Sequence, residues 1–287
     1  MWAKITPILI ASSLGLSAQS LPEAPVYRVT VVQSTIKAVN YGRSGPTQIG
    51  FRGTVLLPDA RGEAKVEAKQ GRTEIEAKFS GLVPPTRFGR EYLTYVLWAI
   101  TPEGRPVNLG ELVADHKDNS KMKVTIPLQA FGLLVTAEPY FAVTLPSNVV
   151  AIENIVRPET AGKVEQVEVK YDLLPRNEYT LHLTPAGQQS EGPKVSQGEY
   201  EALLDFYQAR HAVQIAKSEG AERYAAETLR RAEELLRQAE TYLATKSGNK
   251  QVVMAARQAT QTAQDARAIT ARRKSQATVE ESAQVRR

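Results

Sequence analysis

Near residue 198 the chain changes its period. Before that point apolar residues alternate singly with polar ones between proline- and glycine-bearing breaks; beyond it they recur three and four residues apart, and proline disappears. Single alternation puts side chains on the two faces of a strand, whereas three-four spacing puts them on one stripe of a helix. No single element satisfies both patterns. The sequence therefore predicts a two-domain β + α chain. An antiparallel β-sandwich, immunoglobulin-like in outline, occupies 24–186, a polar linker 187–197, and an antiparallel helical bundle or hairpin 198–272.

In the helical part the stripes can be followed residue by residue. The first holds Ala202, Phe206, Ala209, Val213 and Ala216 and stops at Gly220. The second holds Ala225, Leu229, Ala232, Leu236, Ala239 and Leu243 and stops at Ser247-Gly248-Asn249; the third holds Val252, Ala256, Ala259, Ala263 and Ala266. Such stripes read as coiled-coil-like seams, with Phe206, Leu229 and Leu236 as their large members. Alanine lets helices approach closely but buries little area, so these seams gain by recruiting another helix. Ala225, Ala232, Ala239, Ala256, Ala259 and Ala263 are the expected interaction seam, for an envelope protein or for a second copy of the chain. Arginines and glutamates mix on the opposite faces, as on a solvated surface. A basic excess from Arg257 through Arg267 to Arg272-Arg273-Lys274 could touch an anionic envelope polymer. The charged tail, 273–287, loses the stripe and is expected to fray.

In the β part, nine or ten short strands are expected, separated by turn residues. Val26–Val39 and Gln48–Leu57 form the first two, and Ala151–Pro158, Val164–Leu174 and Tyr179–Leu183 the last. Between them, Glu63–Lys69 and Glu74–Phe79 alternate charge with apolar residues around Gln70-Gly71-Arg72-Thr73, the pattern of a hairpin with one wet face. That wet face reads as ordinary solvated sheet. Tyr92–Ile100 is dense in β-formers, with Tyr92, Thr94, Val96 and Trp98 on one face and Tyr95 and Leu97 on the other. Tyr95, Leu97, Trp98, Leu109 and Val135 are the expected sandwich core. Trp98 reads as a core ring rather than the wall of a ligand groove, so its loss should spare the helices.

Two resemblances follow from these stretches. Gly81-Leu82-Val83-Pro84-Pro85, Tyr95-Val96-Leu97-Trp98, Asn108-Leu109-Gly110 and Val135-Thr136-Ala137-Glu138-Pro139 resemble the extracytoplasmic domain of anti-sigma-K factors. That resemblance implies a β-sandwich. It covers residues 79–150 and departs from the family at Tyr140-Phe141-Ala142, where the family is glycine-rich; the family's sigma-binding domain and membrane-spanning helix are not expected here. In the helical part Ala209-Arg210, Ala212-Val213, Gly220-Ala221, Tyr224-Ala225, Leu229, Ala232-Glu233, Leu236 and Ala239-Glu240 are similar to an uncharacterised alanine-rich helical family. That family often precedes an OmpA-like module in exported envelope proteins. Together the two halves resemble the front half of acidobacterial OmpA-family proteins. No OmpA-like module lies within the 287 residues, so peptidoglycan binding is carried over to no residue.

Function is bounded mainly by what the chain lacks. There is no cysteine, hence no disulfide, thiolate metal site or cysteine nucleophile. His116, His182 and His211 have no metal-ligand spacing, and Asp115–Asn119 reads as a polar turn rather than a calcium loop. Gly42-Arg43-Ser44-Gly45 lacks the spacing of a nucleophile elbow. No catalytic residue, cofactor or metal is expected. A net charge of +5 is too mild to imply nucleic acid. Residues 1–19 run from Lys4 through an apolar stretch to Leu16-Ser17-Ala18, the order of a cleaved signal peptide, and no membrane span is expected after cleavage. The expected protein is a non-catalytic structural or interaction module of the periplasm or outer membrane. The alternative is the extracytoplasmic sensing domain of an anti-sigma-type system.

Overall fold

A computed structural model describes residues 35–41, 45–158, 160, 163–168 and 196–285. The leader at 1–19, most of the first expected strand, the strand at Tyr179–Leu183, His182 and most of the linker lie outside the described residues. Among those described, ten strands are followed by four helices.

The hairpin predicted from charge alternation is present. Strands β3 (Arg61–Lys69) and β4 (Arg72–Ser80) pair along their whole length, and the turn between them places Gly71 at φ +74°, the left-handed region that glycine enters without a Cβ clash. Ala64, Val66, Ile75, Ala77 and Phe79 point inward, leaving the charged partners outside. The other strands are β1 (Thr35–Asn40), β2 (Thr47–Gly53), β5 (Thr94–Ile100), β6 (Pro106–Leu112), β7 (Ser120–Ile126), β8 (Ala130–Glu138), β9 (Val150–Ile155) and β10 (Lys163–Glu168). All pairings are antiparallel, in the order β10-β1-β8-β9-β2-β3-β4-β7, and β5 lies between β8 and β6. The edge strands β6 and β7 touch, so the sheet curls around one apolar interior. Tyr41 stacks obliquely on Phe131 at 4.8 Å and Phe51 on Phe79 at 4.9 Å within that interior.

β5 and β8 differ from the rest. All seven residues of β5 are buried: Tyr95, Leu97 and Ala99 face the interior, while Val96, Trp98 and Ile100 face outward and are nevertheless covered. A strand buried on both faces reads as a continuous apolar run, and TYVLWAI is such a run. The helices cover it. They are α1 (Gln197–Ser218), the single turn α2 (Ala221–Tyr224), α3 (Ala226–Ala244) and α4 (Asn249–Val285).

α1 begins with a capping box. The Ser196 hydroxyl accepts from the Glu199 amide, and the Glu199 carboxylate accepts from the Ser196 amide at 2.8 Å. The helices run up, down and up. α1 and α4 are parallel neighbours, with Asp205 opposite Arg257 and Glu219 opposite Arg267, and α3 runs antiparallel to both.

The structure corrects four expectations. The linker ends one residue earlier than 197, because Ser196 caps α1 and Gln197 is already helical. The second stripe is broken at Ala225, whose φ of −144° separates α2 from α3; Gly220 in the left-handed region ends α1 and forces this restart. The tail expected to fray continues α4 through Val285, although all of 271–283 is exposed. The backbone ladder and strong helix formers extend it without any apolar stripe. The last correction is the largest. The β and α parts form one compact unit, and Trp98 sits not in the sheet interior but in the layer shared with the helices. Its loss is therefore felt by both halves.

Candidate functional site

The predicted core and seam residues divide among three places. Tyr95, Leu97, Leu109 and Val135 belong to the sheet interior. Trp98 joins Ala225, Leu229, Ala232 and Ala263 in a layer between the sheet and the helices, together with Val96, Ile100, Leu134, Tyr140 and Val213. Phe206, Ala239, Ala256 and Ala259 form a separate cluster among the helices, and Leu236 is partly buried between the two helical clusters. The shared layer is the candidate site, because the chain's buried ionisable groups concentrate along it.

The segment after β8 makes the layer. Glu138 ends that strand with its side chain wholly buried; its Oε1 accepts from the Thr136 hydroxyl and, at 2.7 Å, from the Ser147 amide. Thr136 also accepts from the Trp98 indole at 2.8 Å, which fixes the ring's direction. Glu138 Oε2 has no hydrogen-bond partner, and burial pushes the carboxyl up to about 8, so it is neutral at pH 7. Two residues on, the Tyr140 hydroxyl donates to Gln264 Oε1 at 2.7 Å and accepts from Arg267, whose guanidinium also pairs with Glu219 across α1 and α4. Burial pushes Tyr140 up to about 12 against the opposing pull of Arg267. The Phe141 amide donates to Gln208 at 2.7 Å, and the Phe141 ring lies under the Arg257 guanidinium at 4.5 Å.

Arg257 is the centre of the second half. It pairs with Glu111 on β6 at 2.6 Å and with Asp205 on α1 at 3.1 Å. Gln208 and Thr94 donate to the other oxygen of Glu111. Asp205 keeps one oxygen without a partner, and burial raises its carboxyl to about 6 despite Arg257. His211, also buried, is pulled down to about 4 by desolvation, with Nδ1 3.3 Å from the Glu91 carbonyl. It is neutral at pH 7.

These groups face one another rather than an open cavity. Arg257 and Arg267, read as part of a basic surface, are engaged in ion pairs, Arg257 at the exposed rim of the junction and Arg267 within it, while Arg272 and Lys274 are exposed. Among the described residues no group of three or more His, Cys, Asp or Glu side chains is placed to hold a metal ion. None of the described helices is long and apolar enough to cross a membrane.

Two concavities involve the β half, and Thr94 belongs both to the network and to the wall of the first. An apolar cleft of about 230 Å³ opens between Leu82-Pro84-Pro85 and the first turns of α1, with Tyr95 and Tyr200 in its walls; neither Tyr92 nor Trp98 lines it. A polar groove of about 630 Å³ crosses the outer face of β3, β4 and β7. Sequence reasoning missed both the junction and the groove. The signal for the first was Tyr140-Phe141-Ala142, the place where the anti-sigma resemblance fails. A domain family of unknown function (DUF4398) matches residues 205–282, which span most of α1 and all of α2 and α3, and reach into the exposed end of α4. No curated protein and no solved structure matches the chain.

Proposed function

We propose that the protein is a non-catalytic, exported cell-envelope module in which a β half carries an alanine-rich helical half that engages a partner helix. The observation that carries this reading is the direction of the junction's charged and polar groups. Glu111, Asp205, Arg257, Tyr140 and Arg267 are tied to each other across the sheet–helix junction, as structural partners are, instead of converging on a substrate-sized space. The charge–apolar–small order of residues 1–19 supports export. The order of β half and alanine-rich helices, with the domain match at 205–282, supports kinship with the front half of acidobacterial OmpA-family proteins. The wholly antiparallel pairing around one apolar interior supports the immunoglobulin-like sandwich outline. The exposed flank of the helices, including Met254 and Val279, is where a second copy or an envelope protein would dock.

The test is expression in a Gram-negative host, followed by fractionation and intact-mass measurement. A periplasmic protein that has lost roughly the first 18 or 19 residues is expected, and a cytosolic protein whose mass retains Met1 to Ala18 overturns the reading. The alternative, an extracytoplasmic sensing domain, is favoured by one feature, the apolar cleft beside Tyr95 within the stretch that resembles anti-sigma factors.

A further inference from the structure

We infer that the groove on the outer face of β3, β4 and β7 binds an extended phosphate-bearing polyanion. It is lined by five cations, Arg61, Lys78, Lys117, Lys121 and Arg157, against two acids, Glu63 and Asp115. The other end of the same sheet face shows what an ordinary solvated surface does with its charge. There Lys69 pairs with Glu74 at 2.6 Å, Lys123 with Glu76 at 2.5 Å and Lys65 with Glu67 at 3.9 Å. Among the described residues none of the five groove cations has a carboxylate within 4.0 Å. One half of the face is self-neutralised and the other is left positive.

Register sets the spacing of those charges. Gly50, Glu63, Lys78 and Lys121 stand opposite one another across β2, β3, β4 and β7. Neighbouring strands lie about 4.8 Å apart, so the row from Gly50 to Lys121 covers roughly 15 Å. Arg157 occupies the Gly50 end. Its Nε lies 2.6 Å from where a Cβ on Gly50 would stand, so only glycine lets the arginine lie on the strand. The turn that carries it is pinned to the sheet: the Thr160 hydroxyl accepts from the Arg157 amide at 3.0 Å and donates to the Gln48 carbonyl at 2.7 Å. Arg61 is held as well, through Nη1 bonds to the Pro58 and Ala60 carbonyls. The Arg61 guanidinium and the backbone that carries Arg157 are thus held before any ligand arrives, which lowers the entropy lost on binding.

The two acids offset only part of this field, because five cations face them. Asp115 Oδ1 accepts from the Lys117 and Asn119 amides, which holds that carboxylate in its own turn. Glu63 stands alone in the row. A single small anion would meet two of the spread cations at most, whereas a chain with charge on every repeat meets them in succession. Planar guanidinium forks match the oxygens of a phosphate, and the lysines supply point charges between them. This groove would act whether or not the chain is exported.

The probe is fluorescently labelled long-chain inorganic polyphosphate, followed by anisotropy at low salt and at physiological salt with the full chain. Binding is expected at low salt and should weaken as salt screens it. The double variant Lys78→Gln/Lys121→Gln should lose about tenfold or more in affinity, and Arg157→Gln a comparable amount. Lys65→Gln/Lys123→Gln removes the same net charge from the self-neutralised half and should change affinity by less than about twofold. Poly-glutamate of matched charge should bind more weakly than polyphosphate. Should the Lys78/Lys121 pair disturb folding, Lys117→Gln in the loop wall reads the same groove. No binding at low salt, equal losses in the groove and control pairs, or poly-glutamate binding as tightly as polyphosphate would each overturn the inference.

Discussion

The interior of the sheet and the seams of the helices are both buried, yet they are built from different materials. The sheet interior holds Tyr41, Phe51, Phe79, Tyr95 and Phe131 with many leucines, isoleucines and valines. The helical cluster holds Ala202, Ala209, Ala239, Ala255, Ala256 and Ala259 around one phenylalanine and Val252. Full burial of a large apolar side chain contributes about 1.5–3 kcal/mol, and a methyl-sized group about 0.8 kcal/mol. The sheet can therefore close on its own account, whereas the helices must borrow apolar surface. They borrow it from the outward face of β5 and from the segment after β8, where Val96, Trp98, Ile100, Tyr140 and Val143 meet them. The difference teaches that the helices depend on the sheet for large apolar partners, while the sheet depends on them only to cover its outward face.

The strongest attempt to break that picture puts charge into the seam. Ala232 and Ala239 are fully buried, so Ala232→Glu with Ala239→Glu should unfold the helical half, each at a cost on the order of 3–5 kcal/mol. Glutamate at the exposed Arg230 and Arg237 should cost little beyond the Arg230–Glu234 pair. Circular dichroism separates the two cases. If the seam variant keeps full ellipticity, the alanines are not the contact.

Trp98→Ala tests the borrowing itself and should cost about 3–5 kcal/mol. The signals of sheet and helix should fall together in one transition; helices that outlast the sheet would refute the dependence. Glu138→Gln sharpens the account of the junction through pH. Unfolded, this carboxyl ionises near 4.5, and folded only near 8. Its stabilisation is thus complete below about 4.5 and is lost as pH rises through about 8. The glutamine variant should flatten that decline in melting temperature; an unchanged slope would mean that the carboxyl is ionised in the fold. His211 works in the opposite sense, stabilising above its ordinary 6.5 and losing that contribution as pH falls through about 4. The smallest effect is Ser196→Ala, which removes one side of the capping box at about 1 kcal/mol. Hydrogen exchange should rise in the first turn of α1 and nowhere else.

Sequence carried the elements well because their periods are local. The β3–β4 hairpin and the stripes of α3 and α4 needed only neighbours three or four residues away. The capping box at Ser196 and Glu199 was equally readable and went unused. Pairings across long stretches were not legible. Nothing at Tyr140 announces Gln264 or Arg267, and nothing at Glu111 announces Arg257. Alternation assigned Trp98 correctly to the face opposite Leu97, yet whether that face met solvent or helices depended on how the chain returned. The groove failed for a related reason: its cations come from separate strands and loops, and registration alone assembles them.

The parallel course of α1 and α4 has a mechanical meaning. The chain joins α1 beside the start of α4, and α4 leaves at the opposite end after 37 residues, roughly 55 Å of helix. Tension applied between those two points would run along the helix axes and load the seams in shear. Contacts along each seam would then have to yield together rather than peel turn by turn, so resistance to pulling would be governed by the rate of that concerted rupture and not by the modest equilibrium stability of alanine packing.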